Sequence, residues 1–239
     1  MLSARNWVAA GKGVSNPSAA LLCERVESPR VGRQAVSCLC SGDSAMAKFQ
    51  GMSEPDKSND LQILNRALFF EHRAVWTYRV GAEKLTATEI GKAVLSLAEQ
   101  NQRDHEQHQD MLGNAISDLG GTPVQMTTSY DLSSYIKRGD GNVDNDVNIA
   151  RLALALEVAA SVGYIADTAQ LKSPALVELE GGIAAVEAIH AARIREAFNA
   201  LGMKVPVVPR SIMSKDVRSD WIIRLSGGDE AQRSGEMTH

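Results

Sequence analysis

The sequence predicts an all-α protein, a four-helix bundle with a long crossover between its second and third helices. Three observations predict it. Four segments repeat apolar residues every three to four positions, the helical period. Between the second and third, residues 122–146 are rich in Ser, Thr, Asp and Gly and show no such period. The two helix pairs also repeat each other. Glu71 with Tyr78 seven residues on recurs as Glu157 with Tyr164, and His108 before Leu119-Gly120 recurs as His190 before Leu201-Gly202. The offsets, 86 and 82 residues, fit a duplicated helix hairpin. A link this long gives an up-down-down-up order, in which helices two and three are not a tight antiparallel pair.

Taken in order, residues 1–57 read as a flexible N-terminal segment, and residues 1–50 are expected to make no core contacts. The first 50 hold six Lys/Arg against three acids and lack the apolar core of a secretory signal. An Arg- and Ser-rich, acid-poor start also suits an organelle transit peptide, and Met46 or Met52 is an alternative start. A bundle is expected over 58–203. Its first helix, near 59–84, carries the stripe Leu61, Leu64, Leu68, Glu71, Val75, Tyr78 and Ala82. Thr86-Ala87-Thr88-Glu89 is a capping-box signature opening a helix near 88–119. Its stripe runs Ile90, Val94, Leu97, Asn101, His105, His108, Leu112 and Leu119, and Gly120, Gly121 and Pro123 end it.

The crossover has room for a short helix at 132–137. Its acidic run, 140–146, lacks the glycine and glutamate that a calcium loop needs at its sixth and twelfth positions, where Asn145 and Arg151 stand. It reads as a solvated loop ending in a helix cap. The third helix, near 147–171, sets Ala150, Ala153, Glu157, Ala160 and Tyr164 on one stripe. Ser173-Pro174 is an N-cap and first-turn pair for the fourth, near 174–202. Residues 204–239 read as a partly docked tail.

Composition excludes some functions. Net charge is −4 and the pI about 5.8, which makes no electrostatic case for nucleic acid. The longest apolar run, 149–166, is interrupted by Arg151 and Glu157, so no membrane span is expected. All three cysteines (Cys23, Cys38, Cys40) lie in the first 40 residues, too few and too clustered for a disulfide framework.

The polar residues on these stripes carry the chemistry. Glu187 and His190, three apart, share one helix face with Leu179, Ile183 and Ile194. An unpaired carboxylate buried there would cost several kcal/mol, so a cation must face it. A metal ion is one reading. A buried ion pair is the other, with Arg193 leaning over the site, or with His72 or Arg73 offsetting Glu71.

At these residues the chain resembles the ferritin-like superfamily, which includes bacterioferritin, rubrerythrin and a desiccation-related ferritin-like group. In that superfamily the first and third helices each give a Glu, and the second and fourth each give Glu-x-x-His. The resemblance implies Glu71, His105, His108, Glu157, Glu187 and His190 as metal ligands, with Tyr78 and Tyr164 beside the metals as candidate catalytic residues. It implies one or two iron ions, manganese and zinc being alternatives, in an oxidoreductase, ferroxidase or iron-handling stress protein. The departure is His105, which stands where the second helix should supply a bridging Glu. Glu106 and Glu99 lie off the stripe and are no substitute. Haem is unsupported, since Glu106 occupies the position of its Met ligand. The alternative function is a bundle without redox activity, acting as a structural or interaction module. Expected partners are metal ions, with a homo-oligomer allowed and no nucleic acid or membrane. The cytoplasm is the expected location.

Overall fold

The structure, a computed structural model, describes residues 49–209, 211, 212 and 223. The expectations for the first 48 residues, the three cysteines among them, and for most of the tail lie outside the described residues. Those described are all-helical, with no strand among them.

α1 (Glu54–Ala82) starts five residues before the expected position 59, because Ser53 caps it and Pro55 sits in its first turn. α2 (Glu89–Asp118) is capped by Thr88, whose hydroxyl accepts from the Gly91 amide at 3.0 Å. Thr86, the expected cap, instead donates its amide and hydroxyl to Asp146 at 2.9 and 2.6 Å. After the short α3 (Ser133–Lys137), Asn145 caps α4 (Asp146–Thr168) by accepting from the Asn148 amide. α5 (Pro174–Ala200) follows Ser173, which makes no side-chain cap bond. Buried Asp60 of α1 anchors the turn before it, accepting from the Lys172 and Ser173 amides at 2.9 Å each.

These contacts orient the helices. The start of α1 meets the end of α4, where Arg66 pairs with Asp167 at 2.5 Å. The end of α1 meets the start of α4, where a Cβ on Gly81 would lie 3.1 Å from Ile149. Asp146, opening α4, sits at the start of α2, so α2 and α4 run parallel. The crossover therefore travels the length of the bundle along α1. Val124 bonds Asn65, Tyr130 packs its ring against Phe69 and Trp76, and Tyr135 accepts from Arg73. It then closes on α4 at Gly141, whose φ is 140° and where any Cβ would lie 2.3 Å from the Leu152 nitrogen.

Three expectations change here. The acidic run is not simply solvated: Asp140 is buried against Arg138, and Asp146 is buried as the pin for the α1–α2 turn. Phe49, inside the segment expected to lack core contacts, belongs to the apolar cluster of Leu64, Leu68, Leu112 and Ile116. α4 is long and apolar enough, by length and composition, to cross a membrane. Most of its apolar window is buried in the bundle, with Arg151 and Glu157 buried alongside, and a helix packed on all sides needs no polar face.

Beside a smaller cluster under the crossover (Leu132, Tyr135, Leu152, Ala155 and Leu156), the core forms two apolar layers. One holds Leu64, Leu112, Ile116 and Ile183, and the other Val94, Leu154, Ile194 and Phe198. From the tail, Met203, Val205, Ile212 and Ile223 pack on the second.

Glu180 on α5 is fully buried, and neither carboxyl oxygen has a partner among the described residues. Burial pushes its pKa up to about 8, and Asp167 and Asp60 add to the rise against the pull of Arg66. A carboxyl whose pKa is raised on folding stabilises the fold only while protonated. Its share is present below the unfolded value of 4.5 and is lost as pH climbs through about 8. Glu180→Gln removes that burden. At pH 8 it is expected to raise the melting temperature by about 5 °C, taking about 2 kcal/mol of relieved burial and roughly 2–4 °C per kcal/mol. The gain should vanish near pH 4, and an unchanged pH 8 transition would refute this.

Candidate metal centre

All six expected ligand residues are buried and meet between the two apolar layers. Each sits on a stripe whose other members are apolar, so helix packing alone drives it inward. Their donor atoms form two overlapping sets, each drawn together within 4.8 Å. The first is Glu71, His105, His108 and Glu187, and the second is His105, Glu157, Glu187 and His190. Glu187 and His105 belong to both.

The duplication shows in a crosswise exchange. Tyr78 of α1 donates its hydroxyl to Glu157 Oε1 of α4, and Tyr164 of α4 donates to Glu71 Oε1 of α1. The other oxygen of each glutamate faces the imidazoles. Glu71 Oε2 is 2.7 Å from His105 Nδ1, and Glu157 Oε2 is 3.4 Å from His190 Nδ1. Asn101 buttresses one side, donating to the Tyr78 hydroxyl at 3.0 Å.

Glu187 stands apart. Its Oε1 is 2.9 Å from His108 Nδ1, yet neither oxygen of Glu187, nor that nitrogen, has hydrogen-bond geometry to any described partner. Buried polar atoms normally find partners. Glu187 and His108 therefore keep lone pairs free for a cation at the point where the cluster converges, so the residues present fit a metal ion.

His105 fills the place of the missing bridge. Its Nδ1 faces Glu71 and its Nε2 lies 3.3 Å from Glu157 Oε1, so one ring spans both single carboxylates. Burial works to lower its pKa, but Glu187, Glu157 and Glu71 outweigh it and leave it well above the usual imidazole value. The same contest takes His108 to about 9 and His190 to about 10. Against the burial that would raise it, Glu71 is drawn down to about 2, chiefly by the charge of His105. Glu187 rises to about 7, because burial and then the repulsion of Glu157 and Glu71 exceed the attraction of His105. Burial, with the adjacent carboxylates, holds both tyrosines well above 10, so their hydroxyls stay protonated and donate.

The ion-pair alternatives fail. Arg193 is exposed and does not lean over the site. His72 turns its Nε2 to the Val124 carbonyl at 3.1 Å, and Arg73 donates to Tyr135, so neither offsets Glu71. Among the described residues, the only side chains able to carry positive charge that face the three glutamates are imidazoles.

Sequence reasoning missed Asp104. Its Oδ2 lies 3.0 Å from His190 Nε2, which turns His190 Nδ1 inward. A carboxylate behind a metal-binding imidazole fixes the ring and its tautomer. Asp104 is half-buried at the edge of the α2 stripe, three residues after Asn101 and four before His108. That spacing, which puts it beside His108 on the helix, was the signal available.

The ferritin-like domain family matches residues 59–200, more than half of the chain. No curated protein and no solved structure matches. The helix order, the parallel α2 and α4 and the buried Glu/His cluster agree with that match, and the chain belongs to the ferritin-like domain family.

Proposed function

We propose that this protein binds non-haem iron, as one or two ions, and works as an oxidoreductase or as an iron-handling protein in stress. Manganese and zinc suit the same nitrogen and oxygen donors. The observation that carries this is Glu187, whose two buried, unpartnered oxygens lie where the two donor sets overlap. Glu71 and His108 would hold one position, Glu157 and His190 the other, and Glu187 would bridge them. Iron so held supplies one-electron chemistry and Lewis acidity.

The chain's own residues do the rest. Tyr78 and Tyr164 donate their hydroxyls to one oxygen of each single glutamate and so aim the other at the centre. Asp104 keeps His190 facing inward. The apolar layers above and below exclude water. Elemental analysis of the purified full chain tests this against Glu187→Ala and His190→Ala. The wild type is expected to retain iron, manganese or zinc, and both variants to lose most of it. A metal-free wild type, or variants that retain as much, would overturn the reading.

A second reading rests on His105. An imidazolium spanning Glu71 and Glu157 offsets their charge where a metal otherwise would. A bundle stabilised that way serves as a structural or interaction module without redox activity, and a metal-free wild type would support it.

A further inference from the structure

A cleft of about 360 Å³ runs between α1 and α4 to the candidate metal centre. Its floor is formed by Glu71, His105, Glu157 and Tyr164, all buried. Small residues on α4 (Ala159, Ala160, Gly163 and Ala166) keep the helices from closing over it. Its outer part is cationic. Arg66 and Arg138, with side chains about half exposed, line it together with Arg73. A second cavity, of only about 30 Å³, reaches Tyr78 and Asn101 with no charged residue in its lining. The α1–α4 cleft is therefore the one that selects by charge.

Two of the three guanidiniums are already matched, Arg66 with Asp167 and Arg138 with Asp140. Arg73 is not. Among the described residues no carboxylate pairs with it, and its Nε has no partner. It is held in place nonetheless. Its guanidinium lies 4.6 Å over the Phe70 ring and 5.3 Å from that of Tyr135, and Nη2 donates to the Tyr135 hydroxyl at 3.1 Å. Stacking of this kind fixes a guanidinium while leaving its charge to act on a ligand. A bare divalent cation would be repelled at this mouth.

We propose that the α1–α4 cleft binds a small organic monocarboxylate with an apolar or aromatic body, its carboxylate drawn to Arg73 and its far end turned to the metal centre. One unmatched guanidinium suits one negative charge, and the Asp167 carboxylate in the wall disfavours a dianion. The alanines and the Phe70 and Tyr135 rings suit the apolar body. This rests on the metal-centre reading for what happens at the floor, but the binding itself does not need the metal.

The test is calorimetric titration of the full chain, metal-loaded and metal-stripped, with benzoate, with neutral benzamide and with inorganic phosphate. Benzoate is expected to bind at least 10-fold more tightly than either of the others. Arg73→Gln should abolish that preference without changing metal content. A Cβ on Gly163 meets nothing within 4 Å, so Gly163→Leu should fold and should block benzoate by filling the cleft. Equal affinity for benzoate and benzamide, tighter binding of phosphate, or a preference that survives Arg73→Gln would each overturn the proposal. A wild type that binds no metal but still discriminates benzoate overturns the metal reading and leaves the cleft. One that binds metal without discriminating does the reverse.

Discussion

Replacing His105 by glutamate should move the metal-free and metal-loaded proteins in opposite directions. In the stripped protein the melting temperature is expected to fall by about 10 °C, and in the loaded protein the metal content should rise toward two ions per chain. The first effect follows from charge. His105 is the ring that faces both Glu71 and Glu157, and those carboxylates have no Lys or Arg partner among the described residues. His105→Glu removes that cation and leaves four buried glutamates facing two imidazoles. Breaking a buried pair costs about 3–5 kcal/mol, and a domain of this size shifts by roughly 2–4 °C per kcal/mol. The second effect follows from geometry. Position 105 belongs to both donor sets, so a carboxylate there can bridge the two metal positions opposite Glu187. Thermal denaturation with and without chelator, beside elemental analysis, reads both. A stripped variant as stable as the wild type would show that His105 does not carry the charge balance.

Asp60→Ala is expected to lower the melting temperature by a comparable 10 °C without changing the metal content of the folded protein. Asp60 is completely buried and accepts from the Lys172 and Ser173 amides and from Asn59 Nδ2, each at 2.9 Å. It thereby anchors the turn that leads into α5, and it places a negative charge at a helix N-terminus. Hydrogen bonds to a charged group are worth about 1.5–3 kcal/mol each, so losing the two amide bonds alone costs about 3–6 kcal/mol. Asp60→Asn keeps one acceptor oxygen and should lose about half as much. A loss under 2 °C in the alanine variant would mean that the α4–α5 turn is held by its apolar neighbours alone.

The sequence by itself determined the four long helices, the crossover and the six inward polar residues. A 3.6-residue period reports directly which face of a helix is buried, and a polar residue on that face is carried inward with it. The duplication, read from Glu71 and Glu157, also anticipated that the two halves would meet at one centre. What it did not carry were partners set by packing between helices. Asp104 reaches His190 from the edge of the α2 stripe. Asp60 holds a turn that lies more than a hundred residues later. Arg73 is turned from Glu71 to Tyr135 by the crossover, and Arg193 points to solvent. In each case the residue type is legible, but its neighbour depends on how two helices rotate about their axes. Helical period specifies which face is buried, while the partner helix and register at that face are set only when the bundle packs.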